Sequence, residues 1–157
     1  MRFMLSVVAA TLLAIPPPLQ ANPATDAVAA VTGWIDKFNA GDMDAFYAAH
    51  APGAVIVDEF APYVWAGKDA PHMWAQGFDA DAKAHRITEP RMDYAASTRA
   101  ESDGKSAYIV IPTVYRIKQD GRSMSAAGTM TFVMTNIAGQ WKIASWTYAA
   151  PEPAPDR

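Results

Sequence analysis

The chain has 157 residues, a formal net charge of −3 and no Cys. That length corresponds to about one domain. The acidic balance, with Lys and Arg scattered singly, excludes nucleic acid as a partner, because phosphate binding needs a concentrated basic face. The lack of Cys excludes disulfides and thiol-linked lipid, so the core must hold by apolar burial alone.

In chain order, Arg2, the apolar run Phe3 to Ile15 and the breaker Pro16-Pro17-Pro18 have the layout of a cleaved signal peptide. Residues 1–21 are expected to be removed after Ala21, with Ala24 as the alternative, so the mature protein is expected to be exported, periplasmic or secreted. The run is shorter than the roughly 20 residues of a membrane-spanning helix, and no later segment is long and apolar enough, so no membrane span is expected in the mature chain.

Thr25 is placed to cap a helix running to about Ala40, with Val28, Val31, Ile35 and Phe38 forming one apolar stripe and Trp34 bordering it. Gly41 ends it. Asp42 caps a short second helix carrying Met43, Phe46 and Tyr47, which Pro52-Gly53 should stop. Ala54–Asp58 and Tyr63–Ala66 read as two strands of a hairpin. Asp69 then caps a third helix, with Pro71 in its first turn and Lys83, His85 and Arg86 near its end, a charge order that suits the helix dipole.

From there the signals are strand and turn. Arg91–Thr98, Ser106–Lys118, Met124–Asn136 and Trp141–Tyr148 are strands, separated by Asp103-Gly104, Asp120-Gly121 and Ala138-Gly139. Pro112 is expected at a strand edge or bulge, since it cannot donate to a ladder. The Pro-rich tail, 150–157, is expected to be disordered. Helices followed by a meander make an α+β domain over 25–149. Its mixed, mostly antiparallel sheet should curve into a cone closed by about three N-terminal helices, with a pocket at the open end.

Asp58 is the candidate for chemistry. An acid at the end of the apolar strand Ala54–Asp58 can be half-buried, and burial tunes a carboxyl for proton transfer. Alternation along a strand sends Asp58 and Glu59 to opposite faces, so only one of them should look into the cone. The aromatic set Trp34, Phe60, Trp65, Trp74, Trp146 and Tyr148 reads either as the lining of an apolar cavity or as ordinary core. Thr129, Thr131, Val133 and Thr135 share one strand face, open as pocket wall or as solvent face. His50, His72 and His85 have no metal-ligand spacing, and His72 is a candidate for the pocket edge. No metal or other cofactor is expected.

This layout resembles the nuclear-transport-factor-2-like superfamily, in its SnoaL-like and ketosteroid-isomerase-like branch. The likeness is carried by Trp34–Phe38, the Asn39-Ala40-Gly41-Asp42 turn, Ala54–Asp58 with Gly67 nine residues on, and Gly139-Gln140-Trp141-Lys142-Ile143. It spans about Thr25 to Ala149. The resemblance implies a cone, a homodimer formed through the outer face of the sheet, Tyr148 as a pocket aromatic, and Asp58 where that branch keeps its general base. The branch completes its site with a Tyr hydroxyl and a protonated Asp as oxyanion hole. The matching positions here hold Trp34 and, nearby, Thr131, which can donate hydrogen bonds but are not acidic donors. One lost oxyanion donor costs about 100- to 1000-fold in rate. Steroid isomerisation by the familiar mechanism is therefore not expected. The expected function is the binding of a small, largely apolar or aromatic molecule, with isomerase- or lyase-type proton transfer by Asp58. The alternative is a non-catalytic ligand-binding or protein-interaction module acting as a homodimer.

Overall fold

The computed structural model describes residues 23–156. The expected signal peptide and its first cleavage point lie outside the described residues, as does Arg157. Helix α1 (Pro23–Asn39) follows its apolar stripe: Ala27, Val31, Trp34 and Ile35 are buried. Burying each of the larger side chains is worth about 1.5–3 kcal/mol relative to exposure. The helix ends where Gly41 turns left-handed at φ 70°. Asn39 pins this end to the sheet, its side chain exchanging hydrogen bonds of 2.9 and 2.8 Å with the backbone of Met92. Asp42 caps α2 (Met43–Ala48) by accepting from the Ala45 N–H at 3.2 Å.

Pro52-Gly53 does not stop α2. It lies inside β1 (His50–Val57), where the pairing register shifts between His50 and Val55. β1 forms a hairpin with β2 (Val64–Ala66), and α3 (Ala70–Ala84) follows. The remaining strands are β3 (Ile87–Tyr94), β4 (Arg99–Ser102), β5 (Ser106–Gln119), β6 (Arg122–Ile137), β7 (Gln140–Ala149) and β8 (Ala154–Pro155). The sheet order is β2-β1-β7-β6-β5-β3, with β4 also on β5 and β8 on β6. β1 and β7 are parallel, and the other pairs are antiparallel. The architecture is the expected α+β one, three helices against a curved mixed sheet.

The strand expected over Arg91–Thr98 stops at Tyr94 as the end of β3, and a separate strand, β4, begins beyond it at Arg99, both paired with β5. Pro112 sits opposite their junction, in the interior of a long central strand rather than at its edge. Its carbonyl accepts from the Ala95 N–H at 3.0 Å, on the β3–β4 side. A strand residue's N–H and C=O point to the same side, so the missing donor of Pro112 faces the break between the two neighbours.

Registers across the sheet separate its two faces. Trp65, Ile56, Trp146, Phe132, Ile109 and Ala100 lie side by side on the inner face. Ala66, Val55, Ser145, Val133, Tyr108 and Glu101 form the adjacent outer row. Thr131 pairs with Val110 and Thr147 on this outer face, while Met130 and Phe132 beside it in sequence are buried inside. The tail is described through Asp156, and Ala154–Pro155 forms β8. β8 pairs with Met124 and Ser125, the Asp156 N–H donates to Ser123 O at 3.1 Å, and the Ser125 hydroxyl meets the Asp156 carboxylate. Backbone and side-chain partners at both ends supply what its composition alone does not.

Two glycines make opposite predictions. A Cβ on Gly128 would come within 2.7 Å of the Tyr148 ring and 2.8 Å of both Ala149 O and Ala150 Cβ. Gly128→Ala is expected to destabilise by about 1–3 kcal/mol through overpacking. Gly33 lies inside α1 with nothing within 4 Å of its would-be Cβ. Gly33→Ala is expected to stabilise by about 0.5–1 kcal/mol. Urea midpoints measure both changes.

Candidate functional site

Between the helices and the inner face of the sheet lies a cavity of about 780 Å³. It falls in the usual range of small-molecule sites, about 300–1,000 Å³. Its wall comes from α1, α3, the β1–β2 loop, the inner faces of β5, β6 and β7, and residues 150–153 of the tail. Trp34 from α1, Trp74 from α3 and Trp146 from β7 converge there: Trp146 lies 5.6 Å from Trp34 and 5.2 Å from Trp74, ring to ring. Phe46 stacks on Trp34 at 5.0 Å and on Trp74 at 5.4 Å.

Behind these rings sits His50, 8% exposed. Its Nδ1 lies 3.0 Å from Phe46 O, and the Trp146 indole N–H reaches its Nε2 at 3.2 Å. An indole only donates, so Nε2 must accept, and Nδ1 carries the proton toward the carbonyl. The imidazole is neutral in this arrangement. Burial above all pushes its pKa down to about 4, and the nearby His72 adds to the fall.

Asp58 follows β1 directly, its N–H donating to Tyr63 O at 3.1 Å. One carboxylate oxygen accepts from the Trp74 indole at 2.8 Å and the other from the Glu59 N–H at 2.8 Å. Both bonds favour the ionised form, yet burial outweighs them. Desolvation, with smaller contributions from the like charges of Glu59 and Asp81, pushes the pKa up to about 6. The carboxyl therefore changes protonation near neutral pH, where a general base or acid is most useful.

Two tyrosines face the same space. Tyr115 on β5 and Tyr148 on β7 have ring centroids 6.2 Å apart. Burial pushes both hydroxyls well above their ordinary range, and the Asp58 charge raises both further. They are neutral hydroxyls at physiological pH, able to donate to a ligand oxygen. The Tyr148 hydroxyl and the Trp34 indole nitrogen are buried without a protein hydrogen-bond partner. Buried polar atoms are almost always paired, so two orphans on one cavity wall are unusual.

Of the sequence-selected residues, Asp58, Trp34, Phe60, Trp74, Trp146 and Tyr148 all lie on this wall. Trp65 does not. It is 5% exposed and packs against Phe60, 4.8 Å ring to ring, and beside Gly77 of α3. Thr131 is on the opposite face of the sheet, so it supplies no donor here. Asp58 and Glu59 both reach the wall, because strand alternation ends at Val57 and a turn carries the two acids. Glu59 sits outermost and accepts from the Ala150 N–H, tying the start of the tail to the rim. His72 is exposed and stacks on Tyr47 at 3.8 Å instead of edging the pocket.

Sequence reasoning missed Tyr115, Phe78, Asp81 and His85 as wall residues. Their signals were present. Trp74, Phe78, Asp81 and His85 fall at four-, three- and four-residue steps along one face of α3, with His85 at its cap. Tyr115 shares its strand face with Ile111 and Ile117 at period two.

Solved structures with the same fold include a ketosteroid isomerase-like protein from Erwinia carotovora atroseptica. It is 18% identical, with 83% of this chain and 97% of that one covered and a TM-score of 0.65. An NTF2-like protein with a cystatin-like fold from Novosphingobium aromaticivorans is 13% identical over 82% and 81%, at a TM-score of 0.64. An NTF2-like protein of unknown function from Pseudomonas putida is 15% identical over 82% and 86%, at 0.60. At such identities the likeness is one of fold. No curated protein matches the chain. The family model for the SnoaL-like domain matches residues 28–153, so the chain belongs to the SnoaL-like family, and it shares the fold of these NTF2-like structures.

Proposed function

We propose that the protein is exported, that its cone binds a small, largely apolar molecule and that Asp58 moves a proton on it, in isomerase- or lyase-type chemistry. The observation that carries this reading is the Asp58 carboxyl, buried against Trp74 in an aromatic cavity and raised to about 6. As a carboxylate, it would take a proton from a carbon next to a ligand carbonyl. The growing charge on the carbonyl oxygen would be met by neutral donors, the Tyr148 or Tyr115 hydroxyl and the Trp34 indole. Protonated Asp58 would return the proton to another carbon or release a leaving group.

A direct test incubates the protein with a panel of cyclic ketones and enones in deuterium oxide and follows deuterium at carbon by mass spectrometry. Catalysed exchange that falls about 100- to 10,000-fold in Asp58→Asn is the expected result. Exchange unchanged in the variant would assign proton transfer elsewhere. Binding of panel members without exchange in either protein would favour the non-catalytic module.

That second reading has an observation of its own. The outer face of the sheet exposes Val55, Val57, Val64, Tyr108 and Val133. Exposed apolar side chains gathered on one sheet face, here interspersed with Ser145, Thr147 and Thr131, mark an interaction surface. We propose that it pairs with a second copy. Sedimentation should give a dimer that Val133→Arg dissociates, and a monomeric native protein would contradict it.

A further inference from the structure

The wall of the cavity carries an uneven charge. Among the described residues that line it, four are acids: Asp58, Glu59, Asp81 and Glu152. None is Lys or Arg. The basic member is His85, and its Nδ1 already lies 3.2 Å from an Asp81 carboxylate oxygen and 3.1 Å from the Asp81 carbonyl. The acids come from separate places in the chain, the β1–β2 loop, α3 and the tail, and they sense one another. Asp58 feels Glu59 and Asp81, and Glu59 feels Glu152. Among the described residues, no Lys, Arg or His pairs with Asp58 or Glu59.

An acidic cluster on a surface is ordinarily a solvated face. This one borders a half-open cavity walled by tryptophan, phenylalanine and tyrosine rings. The wall of that space also carries the unpartnered Tyr148 hydroxyl (9% exposed), beside Glu59 and Asp58, and that oxygen can accept from an ammonium. Aromatic faces attract cations through their negative quadrupole, more strongly where water is excluded. The partly desolvated Asp58 carboxylate adds Coulomb attraction at an effective dielectric below that of water, and the more exposed Glu59, Asp81 and Glu152 add a solvent-screened contribution of the same sign. The same field repels an anion, which would have to lose its own hydration as well.

Resting on the reading of the cone as a small-molecule site, we infer that its ligand is an organic cation, an ammonium group attached to an apolar ring or chain. The ring occupies the Trp34–Trp74–Trp146 end. The ammonium lies toward Asp81, Glu59 and Glu152, and carboxylates, sulfates and phosphates are rejected.

Equilibrium dialysis with three probes of one shape tests this: naphthylmethylammonium, naphthylmethanol and naphthoate, each at pH about 7.5, where both charged probes are ionised. The ammonium is expected to bind roughly 10-fold or more tightly than the alcohol, and the naphthoate more weakly than either. In the double variant Asp81→Asn, Glu152→Gln, the ammonium-to-alcohol ratio is expected to fall several-fold, to within about three-fold. An ammonium no tighter than the alcohol, or a naphthoate that matches it, overturns the inference while leaving the apolar site standing. If none of the three binds, the small-molecule site itself fails and the inference falls with it. A ratio unmoved by the double variant also overturns it, since the preference would then come from elsewhere.

Discussion

Replacing Asp58 by Asn is expected to make the protein more stable above pH 6 while abolishing the proton transfer proposed for this carboxyl. The sign follows from the direction of the shift. Asp58 ionises at an ordinary value of 3.8 when unfolded and at about 6 when folded. Its favourable contribution is fully present below 3.8 and is lost as pH rises through 6. Above that, burying the charge costs about 3 kcal/mol. Asn keeps an acceptor for the Trp74 indole and carries no charge, though it faces the Glu59 N–H with less to offer. The variant should gain about 1–2 kcal/mol at pH 8, because the buried charge is gone.

His50 runs the other way. Its ordinary value of 6.5 falls to about 4 in the fold, so its contribution is present above 6.5 and is lost as pH falls through 4, a term of about 3 kcal/mol. In the native protein the two groups oppose each other between about pH 4 and 6.5, and acid should change stability little there. In Asp58→Asn the His50 term stands alone, and stability should drop through the same window. Urea midpoints at pH 8, 6 and 5 read both effects. A variant less stable than the native protein at pH 8 would mean that Asp58 is not buried at a cost.

Trp146→Ala is expected to be the most damaging substitution in the cone, at about 3–5 kcal/mol. Trp146 is 3% exposed and joins the inner row between Ile56 and Phe132 while touching Trp34 and Trp74. Truncation opens the inner end of the cavity and deprives the His50 Nε2 of its donor. An acceptor freed in this way can take a proton, so the His50 pKa should climb from about 4 toward its ordinary range. Trp146→Phe keeps most of the packing and loses the N–H. It should cost less, about 1–3 kcal/mol, and move His50 in the same direction. Urea unfolding measures the stability and imidazole nitrogen shifts follow His50. A loss below about 1 kcal/mol for the Ala variant would show that the ring is not part of the core.

The order of helices and strands was legible because each signal was local and strong. The Val28–Phe38 stripe, the Asp42 cap and the turns at Asp120-Gly121 and Ala138-Gly139 all lie where their chemistry puts them. What the sequence hid was long-range. Pro112 is tolerated inside β5 because β3 ends and β4 begins across from it, a fact about two other segments. The tail's partners Ser123, Ser125 and Glu59 lie far away in sequence, and its own composition says nothing of them. Thr131 was misplaced because matching by distance from glycines does not specify which sheet face a residue occupies, and a shift of one position inverts that face. Asp58 was found because an acid closing an apolar strand is a local oddity. Its companions Tyr115 and Asp81 look like ordinary members of a strand and a helix until the fold brings them together.

Selective labelling of the Asp carboxyl carbons and an NMR titration of the ligand-free protein tests the site most directly. Asp58 is predicted to titrate with a midpoint near pH 6, and the Trp74 indole N–H resonance should shift with the same midpoint, because it donates to that carboxylate. A midpoint at or below 4, with a Trp74 signal indifferent to pH, would mean that Asp58 is an ordinary solvated acid and not the proton-transfer group of the cone.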